Sequence, residues 1–220
     1  MLTLHHLEHS RSFRILWALE ELGIPYELKY YTRRPNMAAP KELKQIHPLG
    51  KAPILTDGDL VIAESAVILE YLQTNYDPNH QFKPQSAQDL NQYHYWMHYA
   101  EGSLMPYLVF SLVMQQLGKK PVPMVARPLT GFVGQQVFKQ FMQPRLNEHV
   151  DFLEQYLSQH DYFSGEFSFA DIQMMFPLMG LLEMPNIHDL PHVRAFVEKM
   201  SVRPAFRAAQ QKSPDGGKVI

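Results

Sequence analysis

The chain has 220 residues with 20 basic and 22 acidic side chains, and its formal net charge of −2 disfavours a nucleic-acid-binding function, which needs a basic surface for phosphates. Hydrophobic residues make up 45% of the sequence and charged residues 19%, a composition that is typical of a globular protein and excludes a largely disordered one. Because the chain contains no cysteine, disulfide bonds, thiolate metal sites and a cysteine nucleophile are excluded.

The first 80 residues predict a mixed α/β domain. Hydrophobic periodicity and turn residues indicate elements in the order β-α-β-α-β-β-α. The strands are predicted at 2–6, 26–31, 53–55 and 60–62, and the helices at 10–23, 40–46 and 64–75. Asp57-Gly58-Asp59 is a strong turn signal, so the last two strands should form a hairpin. This order predicts a sheet with helices packed on it.

Strand signals stop after Asp77, and the rest of the chain predicts an all-helical bundle. Helices are indicated at 88–117, 128–158, 168–182, 190–200 and 204–211. Pro106 and Pro144 lie inside the first two patterns, so each of these helices should kink or break there. We therefore predict a first domain at 1–80, a linker at 81–85 and a second domain at 86–220, in which residues 213–220 should form a mobile tail.

Targeting and membrane segments are not indicated. No basic segment followed by an apolar run opens the sequence, and the longest apolar stretch, residues 174–182, is far shorter than the roughly 20 residues of a membrane helix. We expect a cytoplasmic protein that associates neither with membranes nor with nucleic acids.

A proline opens the third predicted strand, in the segment Gly50-Lys51-Ala52-Pro53. Proline cannot donate a ladder hydrogen bond, so it belongs at a sheet edge or in a special turn. A cis peptide bond before Pro53 would turn the N–H and C=O of Ala52 outward, where they could pair with an extended peptide. An ordinary loop proline is the alternative, and the low frequency of cis bonds favours it when this segment is considered by itself.

The fourth predicted strand leads into a helix that begins with Glu64-Ser65. A helix N-terminus offers unpaired N–H groups and positive dipole character, so it favours a carboxylate ligand. The Ser65 hydroxyl adds a donor, and Glu64 adds an acceptor suited to an ammonium group. This corner is therefore suited to an α-amino acid group, although simple N-capping would also explain Ser65.

Several segments share their order and spacing with one known family. They are residues 10–17, 20–23 and 47–55, Asp57-Gly58, Glu64-Ser65 and Ser168-Phe169-Ala170-Asp171, the last of which looks like a capping box on a buried helix. In this combination the whole chain resembles the glutathione S-transferase family, and it is most similar to the serine-type, yeast-like transferases of bacteria and fungi. His47 departs from the family, which most often has asparagine before the next proline, and this should affect the turn more than the chemistry.

The resemblance implies a thioredoxin-like N-terminal domain, a helical C-terminal domain, and glutathione as cosubstrate without a metal. Pro53 would be the family's cis-proline, and the backbone of Ala52 would bind the cysteinyl unit of glutathione. Lys51 would approach the glycine carboxylate, and Glu64 and Ser65 would bind the γ-glutamyl group.

The family activates the glutathione thiol with a Tyr, Ser or Cys side chain near the first strand–helix junction. Ser10 matches the serine-type pattern and would stabilise the thiolate by a hydroxyl hydrogen bond at a helix N-terminus. Ser12, Arg11 and His9 are the neighbouring candidates. Lowering a thiol pKa from about 8.5 to about 6.5 requires about 2.7 kcal/mol, which one charge-assisted hydrogen bond and the helix end can supply. A purely structural N-cap role is the alternative for Ser10.

His94, His98 and Glu101 lie near one face of the first long helix, at a spacing that metal ligands also show. The aromatic residues around them favour an ordinary packed helix, and we expect no metal. The resemblance implies another role for Glu101: in a homodimer it would reach the amino group of the glutathione bound to the partner subunit. A surface carboxylate is the alternative.

A second substrate would lie between the two domains. Tyr107, Phe110, Met114 and Met124 are candidate lining residues because aromatic and methionine side chains form adaptable apolar walls. Each of these residues would equally suit an ordinary core.

The resemblance implies a detoxifying glutathione transferase, which conjugates the glutathione thiolate to a small apolar electrophile. A glutathione-dependent peroxidase or disulfide reductase would use the same thiolate against a peroxide or a disulfide. The third hypothesis is a non-catalytic binding protein with this fold, which the intact Lys51, Pro53, Glu64 and Ser65 disfavour.

Overall fold

The computed structural model describes residues 1–184, 187 and 190–218 of the chain. The N-terminal half contains a four-stranded mixed sheet in the order β2-β1-β3-β4, formed by β1 (Leu2–Leu7), β2 (Glu27–Tyr31), β3 (Ile54–Asp57) and β4 (Leu60–Ala63). β1 is parallel to β2 and antiparallel to β3, and β3 and β4 form the predicted hairpin. Gly58 closes this hairpin with φ +58°, a left-handed conformation that glycine adopts without a steric cost.

Three helices accompany the sheet: α1 (Ser12–Leu22), the short α2 (Leu43–Ile46) and α3 (Ser65–Tyr76). α1 contacts β1, and α3 contacts both α1 and β4. α1 ends at Gly23, whose φ of +63° is the helix stop that the sequence predicts. α1 begins at Ser12 instead of the predicted residue 10, because residues 8–11 form a turn. The predicted β-α-β-α-β-β-α order is confirmed.

The C-terminal half is predominantly helical, which confirms the predicted α/β plus all-α fold class. The predicted helix 88–117 contains α4 (Ala87–Tyr99) and α5 (Met105–Gln116), and the predicted helix 128–158 contains α6 (Arg127–Val137) and α7 (Gln143–Leu157). The remaining helices are α8 (Phe169–Leu182), α9 (Pro191–Ser201) and α10 (Pro204–Lys212). Within the described residues, no helix has the length and apolar character needed to cross a membrane.

The two internal prolines are accompanied by π-helical turns. Ala100–Leu104 joins α4 to α5 just before Pro106, and Phe138–Met142 joins α6 to α7 just before Pro144. Proline has no N–H, and its ring collides with the carbonyl four residues earlier, so a wider turn separates these groups while the helix continues. The predicted kinks are therefore local widenings, and the first of them carries Glu101.

One apolar core extends through both halves of the molecule, with α1 between them. α1 contacts α8 and α10 as well as β1, and residues 12–19 of α1 are all buried. The ring of Phe206 packs edge-on against Phe13 at 5.3 Å and against Trp17 at 5.0 Å between centroids. The domain boundaries expected near residues 80 and 86 stay predictions. The elements before these positions and the helices after them share this core.

The segment after α10 packs against the N-terminal half, and this corrects the expected mobile tail for residues 213–218. Ser213 is 3% exposed, and the Asp215 carboxylate accepts a hydrogen bond from the N–H of His9. Gly217 is buried next to the ring of Phe13. The prediction was wrong here because the partners of these polar residues lie 206 and 207 positions away in the sequence. The last two residues of the expected tail lie outside the described part of the chain.

Candidate active site

The sheet corner predicted to bind a peptide backbone is the open end of the β3–β4 hairpin. Ile54 pairs with Ala63, so the residues just before β3 and just after β4 lie side by side. Pro53 is buried, and its peptide bond to Ala52 is cis. The pairing of the hairpin thus brings the two motifs of the sequence to one place.

A cleft of about 210 Å³ lies at this corner. Its walls include the five residues that the resemblance assigns to glutathione in the first domain, namely Lys51, Ala52, Pro53, Glu64 and Ser65. Arg11, His47 and Glu101 also line it. His47, the departure from the family pattern, accepts a long hydrogen bond from the N–H of Leu49 at 3.4 Å, so it does act on the turn.

The N-terminus of α3 offers donors to the cleft. Glu64 is the N-cap residue, with φ +73°, and no side-chain hydrogen bond caps the helix. A non-glycine residue in this conformation costs of order 1 kcal/mol or more, and such strain is common at ligand sites. Ser65 is the first residue of α3 and is buried, so it does not act as the N-cap. The N–H groups of the first turn are therefore available to an anion.

Three charged side chains meet where Glu101 of the helical half contacts the β1–α1 turn and α1. The Glu101 carboxylate lies 2.9 Å from Nε of Arg11 and 2.5 Å from Nη1 of Arg14. Arg14 is 1% exposed, and it also donates to the side chain of Gln173 at 3.2 Å. Two guanidinium groups and one carboxylate give this cluster a formal charge of 2 − 1 = +1. The cluster can therefore stabilise an anion in the cleft.

The charges in this cluster persist at neutral pH. Burial favours the neutral form of Glu101, but the charges and hydrogen bonds of Arg14 and Arg11 outweigh it and lower the pKa of the carboxyl group. Burial also lowers the pKa of Arg14 to about 10, which leaves it protonated. Glu101 thus lies in the cleft of its own chain and is held by two arginines of that chain, whereas the sequence resemblance implied that it reaches the partner's site.

The Ser10 hydroxyl is engaged inside the β1–α1 turn. Ser10 is 7% exposed, donates to the C=O of Leu7 at 2.7 Å and lies 2.7 Å from the hydroxyl of Ser12. Ser12 is fully buried and contacts Nδ1 of His6 at 2.6 Å. A hydroxyl has one proton, so Ser10 cannot donate to a thiolate while it donates to Leu7. Ser10 as the thiolate ligand therefore stays a prediction that this geometry does not favour.

The other two candidates differ in their contacts and in their position relative to the cleft. The backbone of His9 has φ +47°, and its imidazole Nδ1 lies 3.7 Å from the carboxylate of Asp215. Arg11 lines the cleft, with its side chain 37% exposed and its charge directed by Glu101. Among the predicted candidates, the geometry favours Arg11.

A second cavity of about 360 Å³ adjoins Arg11. Its walls are mostly apolar and include Met105, Leu108 and Leu112 of α5, together with Phe176 of α8. Arg11 lines both this cavity and the cleft, so its side chain lies at the junction of the two.

Three of the residues predicted to line the second-substrate site, Tyr107, Phe110 and Met114, lie on another face of α5. Tyr107 packs against the ring of His149, Phe110 is 46% exposed, and Met114 lines a separate cavity near α6. Met124 is exposed in the loop after α5. The second-substrate site stays a prediction. The predicted stripe of α5 differs from the one that lines the cavity, because α5 is apolar on several faces and its sequence does not say which face meets the first domain.

The histidines of α4 do not join Glu101. His94 and His98 are exposed on the helix surface, whereas Glu101 is paired with the two arginines. Among the residues that the structure describes, no group of three potential metal ligands occurs.

Known proteins of one family match the chain along most of its length. Residues 1–74 match the glutathione S-transferase N-terminal domain, and residues 133–212 match a glutathione S-transferase C-terminal domain. The chain is 35% identical to glutathione S-transferase 3 of Schizosaccharomyces pombe, over 98% of this chain and 89% of that protein. The chain belongs to the glutathione S-transferase family. It is also 30% identical to glutathione S-transferase 1 of Saccharomyces cerevisiae, over 97% of this chain and 95% of that protein.

A solved structure relates this glutathione S-transferase to the fold of its family. The glutathione S-transferase of Actinobacillus pleuropneumoniae has 32% sequence identity to this chain and a TM-score of 0.80, and the match covers 100% of this chain and 95% of that one. The predicted thioredoxin-like N-terminal domain and helical C-terminal domain are confirmed.

Sequence reasoning missed two parts of this candidate site. Arg14 carried a signal, because it is a charged residue between Phe13 and Ile15 in a stretch that is otherwise apolar. The residues that line the second cavity gave no such signal in the sequence, because residues such as Leu108 and Phe176 follow the same apolar pattern as any core residue.

Proposed function

We propose that this glutathione transferase binds reduced glutathione in the 210 Å³ cleft, ionises its thiol beside Arg11, and conjugates it to an apolar electrophile in the adjoining 360 Å³ cavity. The position of Arg11, which lines both spaces, is the observation that carries the proposal. A thiolate beside this guanidinium group would face the second cavity, so the two reactants would meet at their junction.

Each part of glutathione has a complementary group in the cleft. Lys51 suits the glycine carboxylate, and the backbone of Ala52 suits the cysteinyl unit. The N-terminus of α3 with Ser65 suits the α-carboxylate of the γ-glutamyl group, and Glu64 suits its ammonium group. Together these contacts would hold the peptide extended along the sheet edge with its thiol near Arg11.

Thiol ionisation is the step that the protein must promote. A positive charge beside a thiol lowers its pKa, and the Arg11–Glu101–Arg14 cluster carries a formal charge of +1. A shift from about 8.5 to about 6.5 corresponds to about 2.7 kcal/mol. The thiol proton passes to solvent, and the thiolate sulfur then forms a C–S bond while the leaving group departs from the electrophilic carbon with its electron pair.

Arg11→Ala and Ser10→Ala form a matched test of this mechanism. We expect Arg11→Ala to raise the pKa of the enzyme-bound thiol by at least about one unit and to lower kcat/KM for a chloronitrobenzene about tenfold or more below that pKa, because the cation is lost. Ser10→Ala should leave this pKa nearly unchanged, because the hydroxyl proton is directed to Leu7. Ultraviolet titration of the thiolate and calorimetric titration with reduced glutathione measure both effects.

Two outcomes would contradict the proposal. A larger rise in thiol pKa for Ser10→Ala than for Arg11→Ala would make Ser10 the thiolate ligand. If wild-type protein showed no saturable binding at millimolar glutathione, the cleft would not be a glutathione site, and a non-catalytic binding protein would be the better reading.

The same thiolate would also reduce a hydroperoxide, with two glutathione molecules oxidised to their disulfide and the peroxide reduced to an alcohol and water. The mostly apolar second cavity favours conjugation of an apolar carbon electrophile. Turnover of cumene hydroperoxide against turnover of the chloronitrobenzene separates the two activities.

We also propose that the transferase acts as a homodimer in the cytoplasm, where it detoxifies apolar electrophiles. Leu60 and Val61 on β4 and Val67 on α3 are exposed apolar side chains, which an interface with a second subunit would cover. Glutathione is the dominant thiol couple of the cytosol. Light scattering should give twice the mass of one chain, and the mass of a single chain would contradict the dimer.

A further inference from the structure

A chain of buried hydrogen bonds connects the segment after α10 to the β1–α1 turn. The Asp215 carboxylate accepts from the backbone N–H of His9 and from the hydroxyl of Ser213. The Ser213 oxygen lies 2.7 Å from Nε2 of His6, and Nδ1 of His6 lies 2.6 Å from the hydroxyl of Ser12. The Asp215 side chain is 5% exposed, and His6 and Ser12 are fully buried.

The donors and acceptors assign a direction to this network. Ser213 gives its single proton to Asp215, so its oxygen must accept the Nε2–H of His6. Nδ1 of the neutral imidazole is then the acceptor for the Ser12 hydroxyl. Burial lowers the pKa of His6 to about 4, which agrees with a neutral ring. An uninterrupted set of polar contacts thus runs from Asp215 to Ser12, the first residue of α1.

We propose that Asp215 is a positioning residue, which holds the β1–α1 turn in the geometry that places Arg11 at the junction of the cleft and the apolar cavity. Its role rests on the proposed function, in which Arg11 promotes ionisation of the glutathione thiol.

The turn that carries Arg11 is held from two sides. Asp215 holds the N–H of His9 on one side, and Arg33 donates to the C=O of Glu8 at 3.1 Å and to the C=O of His9 at 2.8 Å on the other. A non-glycine residue with positive φ, such as His9, persists only where its surroundings enforce it. Arg11 follows His9 by two residues, so a change at His9 would alter the direction of the Arg11 side chain.

Gly217 allows the segment after α10 to pack closely against α1. A Cβ atom at Gly217 would overlap the ring of Phe13, whereas a Cβ atom at Gly216 would meet nothing within 4 Å. Both glycines have left-handed φ values, +71° and +66°, so alanine causes similar backbone strain at either position. Gly217→Ala would therefore displace the segment without altering its charge, and Gly216→Ala is the matched control.

The test compares these two variants in the full chain. We expect Gly217→Ala to raise the pKa of the bound glutathione thiol by about one unit and to lower kcat up to about tenfold below that pKa. KM for glutathione should change by less than about twofold, because the peptide-binding residues are untouched. Hydrogen exchange of the His9 amide should accelerate in Gly217→Ala, and Gly216→Ala should show none of these changes.

Two further variants extend the test. Ser213→Ala removes only the hydroxyl between His6 and Asp215, so it should shift the thiol pKa in the same direction even if Gly217→Ala does not fold. Asp215→Asn distinguishes the effect of positioning the turn from the effect of the negative charge of Asp215. Loss of a nearby negative charge alone would lower the thiol pKa, whereas loss of positioning would raise it.

The outcomes distinguish this inference from the proposed function. If the pKa of the bound thiol is equally low in the wild type and in Gly217→Ala, Ser213→Ala and Asp215→Asn, the positioning role of Asp215 is overturned. The proposed function stands in that case. Faster exchange at His9 without a change in thiol pKa would assign the contact to stability alone and would also overturn it. If wild-type protein binds glutathione without lowering its thiol pKa, the proposed role of Arg11 fails and the role of Asp215 fails with it.

Discussion

His6 is a buried histidine that forms hydrogen bonds through both ring nitrogens. Burial lowers its pKa to about 4, and the nearby charge of Asp215 offsets only part of this effect. The ordinary histidine pKa is about 6.5, so the unfolded chain takes up a proton at a higher pH than the folded protein does. The stability that depends on neutral His6 is therefore present above pH 6.5 and is lost as the pH falls through about 4.

His6→Gln tests this pH dependence. We expect the free energy of unfolding of the wild type to fall by roughly 3 kcal/mol through His6 between about pH 6.5 and pH 4, and this component should be missing in His6→Gln. His94→Gln is the control, because His94 is exposed on α4 and should leave the profile unchanged. Urea unfolding across this pH range measures both. Equal slopes for the wild type and His6→Gln would contradict the assignment.

At the residue scale, the sequence predicts what local chain geometry brings together. Lys51 to Pro53 and Glu64-Ser65 lie at the two ends of one short hairpin, so their meeting in the cleft was predictable. Glu101 is 90 positions from Arg11 in the sequence, and no local pattern connects the two. For this reason the sequence leaves Arg11 as one of four candidates, and its pairing with Glu101 is visible only in the structure.

α8 begins at a capping box that is entirely buried. The Ser168 hydroxyl accepts from the N–H of Ala170 at 3.2 Å, and the Asp171 carboxylate accepts from the N–H groups of Ser168 at 2.8 Å and Phe163 at 2.9 Å. Both side chains are at most 1% exposed. Since no water can replace these acceptors, the box is essential for the start of the helix that contacts α1.

Ser168→Ala and Ser86→Ala compare a buried and an exposed helix cap. Ser86 caps α4 through the N–H of Asp89 at 3.0 Å, but it is exposed to solvent. We expect Ser86→Ala to lower the free energy of unfolding by about 1 kcal/mol and Ser168→Ala by about 2–3 kcal/mol, because the buried donors stay unsatisfied. Urea unfolding measures the two losses. Equal losses would show that burial of the box adds nothing.

At the scale of elements, periodicity predicts helix lengths better than helix orientation. The five helical stretches of the second half lie close to their predicted ranges, because each has an apolar stripe with clear ends. The orientation of α5 was not predictable, since residues 105, 108 and 112 and residues 107, 110 and 114 both read as apolar stripes. Which stripe lines the cavity depends on the position of α1 and α8, which the sequence of α5 does not contain.

The whole molecule has one continuous core, in spite of its two architectures. Phe206 of α10 is 1% exposed and packs on Phe13 and Trp17 of α1, and Arg203 forms a salt bridge to Glu21 at 2.6 Å. These contacts join the last helix to the first. We therefore expect the two halves to unfold together.

Phe206→Ala tests the shared core. We expect the variant to lose about 3–5 kcal/mol of stability. Both proteins should unfold in a single transition, and the transition of the variant should lie at a lower temperature. Phe132→Ala is the control, because Phe132 is 59% exposed and its truncation should cost no more than about 0.5 kcal/mol. Calorimetry measures the number of transitions. Two separated transitions in either protein would contradict a common core.

The sequence by itself determined the order of the elements, the hairpin, the approximate extent of most helices and the set of residues at the sheet corner. These features depend on side chains a few positions apart, so their physical causes are visible in the local pattern. Only the tertiary structure decided which candidate lines both cavities, which stripe of α5 lines the second cavity, and where the segment after α10 lies. Those choices depend on pairs such as His6 with Ser213, 207 positions apart, whose contact arises only when the whole chain has packed around α1.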